Sequence, residues 1–103
     1  MRPWLLVAAI GCLAGCGEPP PSWTDDAGAM KYASVCRDCH GAGGEGRGIY
    51  PRLAGRPAEE IAGLLRHYKS GRKTDHMSDT MRPFAQALGE QEIDQIAAWL
   101  ARQ

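Results

Sequence analysis

Little in this chain favours a large core or a charged recognition surface. It has 103 residues with one phenylalanine, three tyrosines and three tryptophans, and its formal net charge is zero. That length allows one small domain, and the charge balance gives nucleic acid nothing to attract. No segment alternates apolar and polar residues as a half-buried strand does. The longest apolar run, Trp4 to Ala14, is too short to cross a bilayer as a mature helix. Four cysteines are present, but Cys12 lies inside that run, Cys16 follows it, and only Cys36 and Cys39 fall in the body. No disulfide framework is left to staple a small core.

The N-terminus carries one basic residue, Arg2, and then the apolar run, which is the pattern of an export signal. Leu13-Ala14-Gly15-Cys16 resembles the bacterial lipobox, which predicts a leader over residues 1–15 and lipid attachment at Cys16. Gly17-Glu18-Pro19-Pro20-Pro21-Ser22 reads as an extended tether, so residues 16–24 form the anchor segment and residues 25–103 the domain. The predicted location is the periplasmic side of a bacterial envelope, with the membrane reached through the lipid. Gly17 rather than Asp after Cys16 favours the outer membrane by the sorting rule of enteric bacteria.

Thr24, Asp25 and Asp26 supply helix-start signals, and a first helix is expected from Asp25 to Arg37. Five glycines between Gly41 and Gly48 make a loop, continued irregularly to Gly55. Pro57 suits the first turn of a second helix, in which Ile61, Leu64, Leu65 and Tyr68 recur at helical spacing before Gly71. Residues 72–80 are polar and read as a loop. A last helix opens at Glu90, with Ile93, Ile96, Ala97, Trp99 and Leu100 on its buried stripe. The fold class is all-α, with about three helices and long loops. Loops of that length in so small a body need something to organise them.

Cys36-Arg37-Asp38-Cys39-His40 supplies the reason. C-x-x-C-H is the pattern of covalent haem attachment, and i, i+3 and i+4 share one face of a helical turn. Two thiols there can form thioethers with the haem vinyl groups while the histidine reaches the iron. A covalent haem, large and mostly apolar, would also supply the missing core.

Together these residues resemble the class I c-type cytochromes, particularly the small monohaem bacterial kind, over residues 25–103. The resemblance implies a cytochrome c fold wrapped around one covalent haem c, with Gly28 and Tyr32 crossing the last helix near Ile96, Trp99 and Leu100. It implies His40 as the proximal ligand, steadied by the Pro51 carbonyl, and Leu53 packed on the haem. For the sixth ligand it implies a methionine about seven residues before the leucine that precedes the last helix. Met81 stands seven before Leu88, and Met77, eleven before it, is the alternate. His76 is a competing imidazole, and His67 falls inside the second helix. Arg47, Arg52, Arg56, Arg72 and Arg82 are all candidates to pair with a haem propionate, and nothing in the sequence selects among them.

A six-coordinate haem leaves no open site for substrate, so the expected function is one-electron transfer rather than catalysis. The expected partners are redox proteins: a quinol-oxidising complex, a dehydrogenase or a terminal oxidase. The alternative from another class is a gas-binding or sensory haem domain with a labile sixth ligand. A thiol–disulfide oxidoreductase would want a strand–turn–helix around Cys36 and Cys39. A structural zinc site needs four ligands, and Cys36, Cys39 and His40 with His67 or His76 could supply the count.

Overall fold

The computed structural model describes residues 21–72 and 78–103. Five helices run through them: α1 (Pro21–Val35), α2 (Arg37–His40), α3 (Ala58–Lys69), α4 (Ser78–Gln86) and α5 (Glu90–Ala101). The only pairing of extended type among these residues is an isolated bridge between Arg47 and Tyr50. The fold is all-α, as the sequence led one to expect.

The core lies where α1 and α3 pack against α5 and where α4 packs against α3. The α1–α5 crossing depends on Gly28. A Cβ at that position would sit 2.9 Å from the Gln95 carbonyl carbon and 3.2 Å from Trp99 Cβ, and closer still to the Gln95 oxygen. One turn later Tyr32 is fully buried, and its ring centroid is 5.0 Å from that of Trp99. Ile93, Ile96 and Leu100 of α5 are buried in the same cluster as Ile61 and Leu65 of α3.

α3 begins after Pro57, with Glu59 and Glu60 in its first turn and Arg66, His67 and Lys69 in its last. These charges complement the helix dipole at both ends. Across the surface Arg66 bridges Glu90 at 2.6 Å and Asp94 at 2.7 Å, tying α3 to α5. α5 starts at Gly89, whose N–H donates to the Glu92 carboxylate at 2.9 Å. Glycine has no side chain to return that bond, so this is half of a capping box.

The helix boundaries correct the sequence-based expectations in three places. α1 starts at Pro21, so the end of the expected tether is already helical; proline is well suited to a first helical turn. The expected single helix to Arg37 is broken at Cys36, which has φ −109° and ψ −26°, and the attachment motif occupies its own short helix. The largest correction is α4, because Ser78–Gln86 is helical where residues 72–80 were expected to form a loop. Pro83 lies inside it and reads as a breaker, yet Met81 and Ala85 are spaced i, i+4 and pack against the core, with Leu88 buried just past its end. Residues 73–77 lie outside the described residues, and so do the expected leader, Cys16, His76 and Met77.

Candidate functional site

The attachment motif forms one helical turn. Cys36 O accepts from Cys39 N at 3.3 Å and from His40 N at 3.0 Å, which brings both sulfurs and the imidazole to one face. All three residues line a single cavity. Both cysteines are free and half-buried, and His40 is buried.

Three contacts hold this turn in place. The Tyr32 hydroxyl on α1 donates to the Gly41 carbonyl at 2.5 Å, just past the end of α2. Gly46 N–H donates back to the His40 carbonyl at 2.7 Å. Gly46 has φ +88°, and a Cβ there would lie 2.8 Å from Arg52 N, so only glycine fits the return of the loop. Leu53 and Ala54 amides both donate to the Gly44 carbonyl, at 2.7 and 2.9 Å, folding the 49–55 segment against the glycine loop.

That packing sets the imidazole. His40 Nδ1 lies 2.9 Å from the Pro51 carbonyl. A carbonyl only accepts, so the proton sits on Nδ1 and Nε2 keeps its lone pair. The ring is thus fixed in the tautomer and orientation that can ligate a metal. Tyr50 stands edge-on to it, with ring centroids 6.1 Å apart.

α3 and α4 supply the other walls. Met81 is half-buried against the core and lines the cavity together with Leu64, Leu65, Ala85 and Leu88. α2 packs on α1 and α4 packs on α3, so His40 and Met81 reach the same space from separate elements. Leu53 lines the cavity between them. Ile49 and Phe84 also line it, although they are 73% and 44% exposed, so the cavity opens to solvent beside them.

The electrostatics argue against a redox dithiol. Burial pushes the Cys36 thiol up to about 11, and the neighbouring Cys39 adds to the rise. A thiol–disulfide catalyst needs the opposite, a depressed thiol at a helix N-terminus or beside a cation. Among the described residues no cluster of three or more His, Cys, Asp or Glu side chains is placed to hold a metal ion by itself. Two adjacent thiols, an imidazole with a free Nε2 and an apolar cavity are instead a donor set that fits a haem.

The chain's kinship agrees with that geometry. Residues 24–100 match the family described as cytochrome c oxidase, cbb3-type, subunit III. The chain is 36% identical over 83 residues to cytochrome c-554(547) of Halothiobacillus neapolitanus, covering 73% of this chain and 91% of that protein. It is 33% identical to cytochrome c-553 of Desulfomicrobium norvegicum, covering 70% and 90% respectively. It is also 35% identical over 104 residues to the thiosulfate dehydrogenase electron acceptor of Thiomonas intermedia, of which it covers 44%. The chain belongs to this family of class I c-type cytochromes. It is an electron-transfer protein carrying covalently bound haem c, and not a catalyst in its own right.

Several cavity residues are absent from the sequence-based set of site residues: Ile49, Tyr50, Tyr68, Thr80 and Phe84. Met81 and Ala85, four residues apart, carried the helical spacing that marks α4. Ile49 carried no signal, because its glycine-rich loop has no periodicity.

Proposed function

We propose that the chain is a membrane-anchored one-electron carrier whose haem is bound through Cys36 and Cys39 and ligated by His40 and Met81. The supporting observation is that His40 and Met81, from α2 and α4, line one largely apolar cavity with both thiols. When bound, the haem supplies an Fe(III)/Fe(II) couple, and a thioether ligand raises its potential relative to a second imidazole. The protein's part is to orient the ligands and exclude water from most of the macrocycle. The Pro51 carbonyl holds His40 in the ligating tautomer, and Leu53 and Leu65 would line the bound ring. The exposed Ile49 and Phe84 at the cavity wall would leave part of the haem open to a redox partner.

The methionine–iron(III) charge-transfer band at the red end of the visible spectrum tests the ligation. It is expected in the oxidised protein and should disappear in Met81→Ala. Persistence there, with loss in Met77→Ala, overturns Met81. Rapid carbon monoxide binding by the reduced wild type at neutral pH overturns the six-coordinate carrier and favours a gas-binding domain.

Anchoring rests on the sequence pattern. In this reading residues 1–15 are removed, Cys16 is lipidated on the periplasmic side, and the residues up to α1 form the tether. None of the described helices is long and apolar enough to cross a membrane. A palmitate-labelled band that survives Cys16→Ala would exclude the anchor. The electron donor in this reading is a dehydrogenase of the thiosulfate-oxidising type, by similarity to the acceptor proteins of Thiomonas intermedia and Stutzerimonas stutzeri. Reduction of the purified holoprotein by such an enzyme, at rates above those with an unrelated dehydrogenase, is the expected result.

A further inference from the structure

The cavity is lined mostly by aliphatic and aromatic side chains, yet a haem carries two carboxylates that are ionised at neutral pH. An unpaired carboxylate at an apolar wall is costly, so the walls must offer a cation or an outlet to water. Among the described residues a single arginine lines the cavity, Arg56.

None of the other described arginines borders the cavity. Arg66 holds Glu90 and Asp94 on the far side of α3. Arg82 is bound to Asp79 at 2.8 Å. Arg37, Arg47, Arg52 and Arg72 are exposed and do not border the cavity. The choice that the sequence left open among five arginines is therefore narrowed by the fold.

Arg56 is well placed for a second acceptor. Its backbone N–H donates to Leu53 O at 3.3 Å, and the adjoining Gly55 N–H donates to Leu100 O at 2.9 Å, so its position is set by α5 and the loop beneath the haem cavity. Pro57 follows at the start of α3 with φ −56°, which stiffens the connection. One guanidinium nitrogen of Arg56 meets Glu60 at 3.3 Å, with side-chain exposures of 40% and 46%. A pair that exposed is weak. A guanidinium has five N–H donors in a planar fork, so Glu60 orients it without saturating it.

We propose that Arg56 pairs with a haem carboxylate, and that Glu60 shares the same guanidinium and sets its direction. The inference rests on the haem lying in this cavity. Charge-assisted bonds from an arginine fork to a carboxylate are short and directional. Arg56 would thereby orient the bound haem and add positive charge beside it, which favours the ferrous state.

The test uses the exported holoprotein with haem attached. Arg56→Leu, Arg56→Lys and, as a control, Arg52→Leu are compared by covalent haem content, by the haem-carboxylate vibration in resonance Raman, and by midpoint potential. Arg56→Leu is expected to shift the carboxylate vibration and lower the midpoint potential. Arg56→Lys should keep most of the potential but still shift the vibration, because an ammonium is a point charge without the fork. Arg52→Leu should leave both at the wild-type value. A carboxylate vibration unchanged in Arg56→Leu, or moved as far by Arg52→Leu, overturns the proposal. If Arg56→Leu fails to acquire haem, an unchanged vibration in Arg56→Lys overturns it equally. Loss of the methionine–iron band in the wild type would instead remove the Met81 ligation and leave the Arg56 result to be read separately.

Discussion

The Tyr32 hydroxyl donates to the Gly41 carbonyl at 2.5 Å, nine residues away, and the bond is buried. Tyr32 therefore does two things at once. Its ring fills the α1–α5 crossing against Trp99, and its oxygen ties α1 to the exit of the attachment turn. Packing and site geometry meet in one side chain.

Tyr32→Phe keeps the ring and removes the bond. Gly41 O still accepts from Gly44 N at 3.2 Å, so it is not orphaned. The expected loss is near the net value of one hydrogen bond, ~1 kcal/mol. For a domain of this size that lowers the melting temperature by roughly 4–8 °C, measurable by thermal unfolding of the holoprotein. A variant as stable as wild type would show that the bond contributes nothing.

The same hydroxyl predicts an alkaline limit. Burial, with a smaller contribution from Glu45, pushes Tyr32 up to about 12. The folded state thus holds this proton more tightly than an unfolded chain with an ordinary tyrosine near 10. Its stabilising contribution is complete below pH ~10 and is lost as pH rises towards 12. Stability plotted against pH should fall over that window in the wild type and fall less in Tyr32→Phe.

Two glycine-to-alanine changes should have opposite signs. In a helix interior alanine is favoured over glycine by roughly 0.5–1 kcal/mol. Gly63 on α3 has open space where a Cβ would go, so Gly63→Ala should gain about that amount. At Gly28 the Cβ would meet the Gln95 backbone, which cannot rotate away. Overpacking of that kind costs typically ~1–3 kcal/mol and outweighs the propensity gain. Urea midpoints of the two variants should move in opposite directions from wild type.

Much of this fold was legible because its signals are local. Cys36, Cys39 and His40 lie within five residues, Ile61, Leu64, Leu65 and Tyr68 mark α3, and Ile93, Ile96 and Leu100 mark α5. α4 was hidden because Pro83 reads as a breaker while Asp79 and Arg82 make the segment look solvated. Its helicity comes from packing Met81 and Ala85 into the core beside α3, a tertiary effect that overrides a local one. Arg56 was indistinguishable from its fellow arginines until α3 and the 53–56 turn placed it at the cavity wall.

Removing the thiols tests how far the haem itself holds the body together. Cys36→Ser and Cys39→Ser each leave one sulfur, so each should retain haem that resists extraction with acidified solvent. The double variant keeps His40 and Met81, and its haem should extract completely. Without the haem, Leu53, Leu64, Leu65 and Phe84 line an open apolar space. A body this small is marginal on its own core, and an emptied apolar cavity weakens it further. The extracted double variant should then bind a hydrophobic dye and unfold without a sharp transition, while the single variants stay cooperative. A sharp transition in the haem-free chain would show that the five helices pack stably without it.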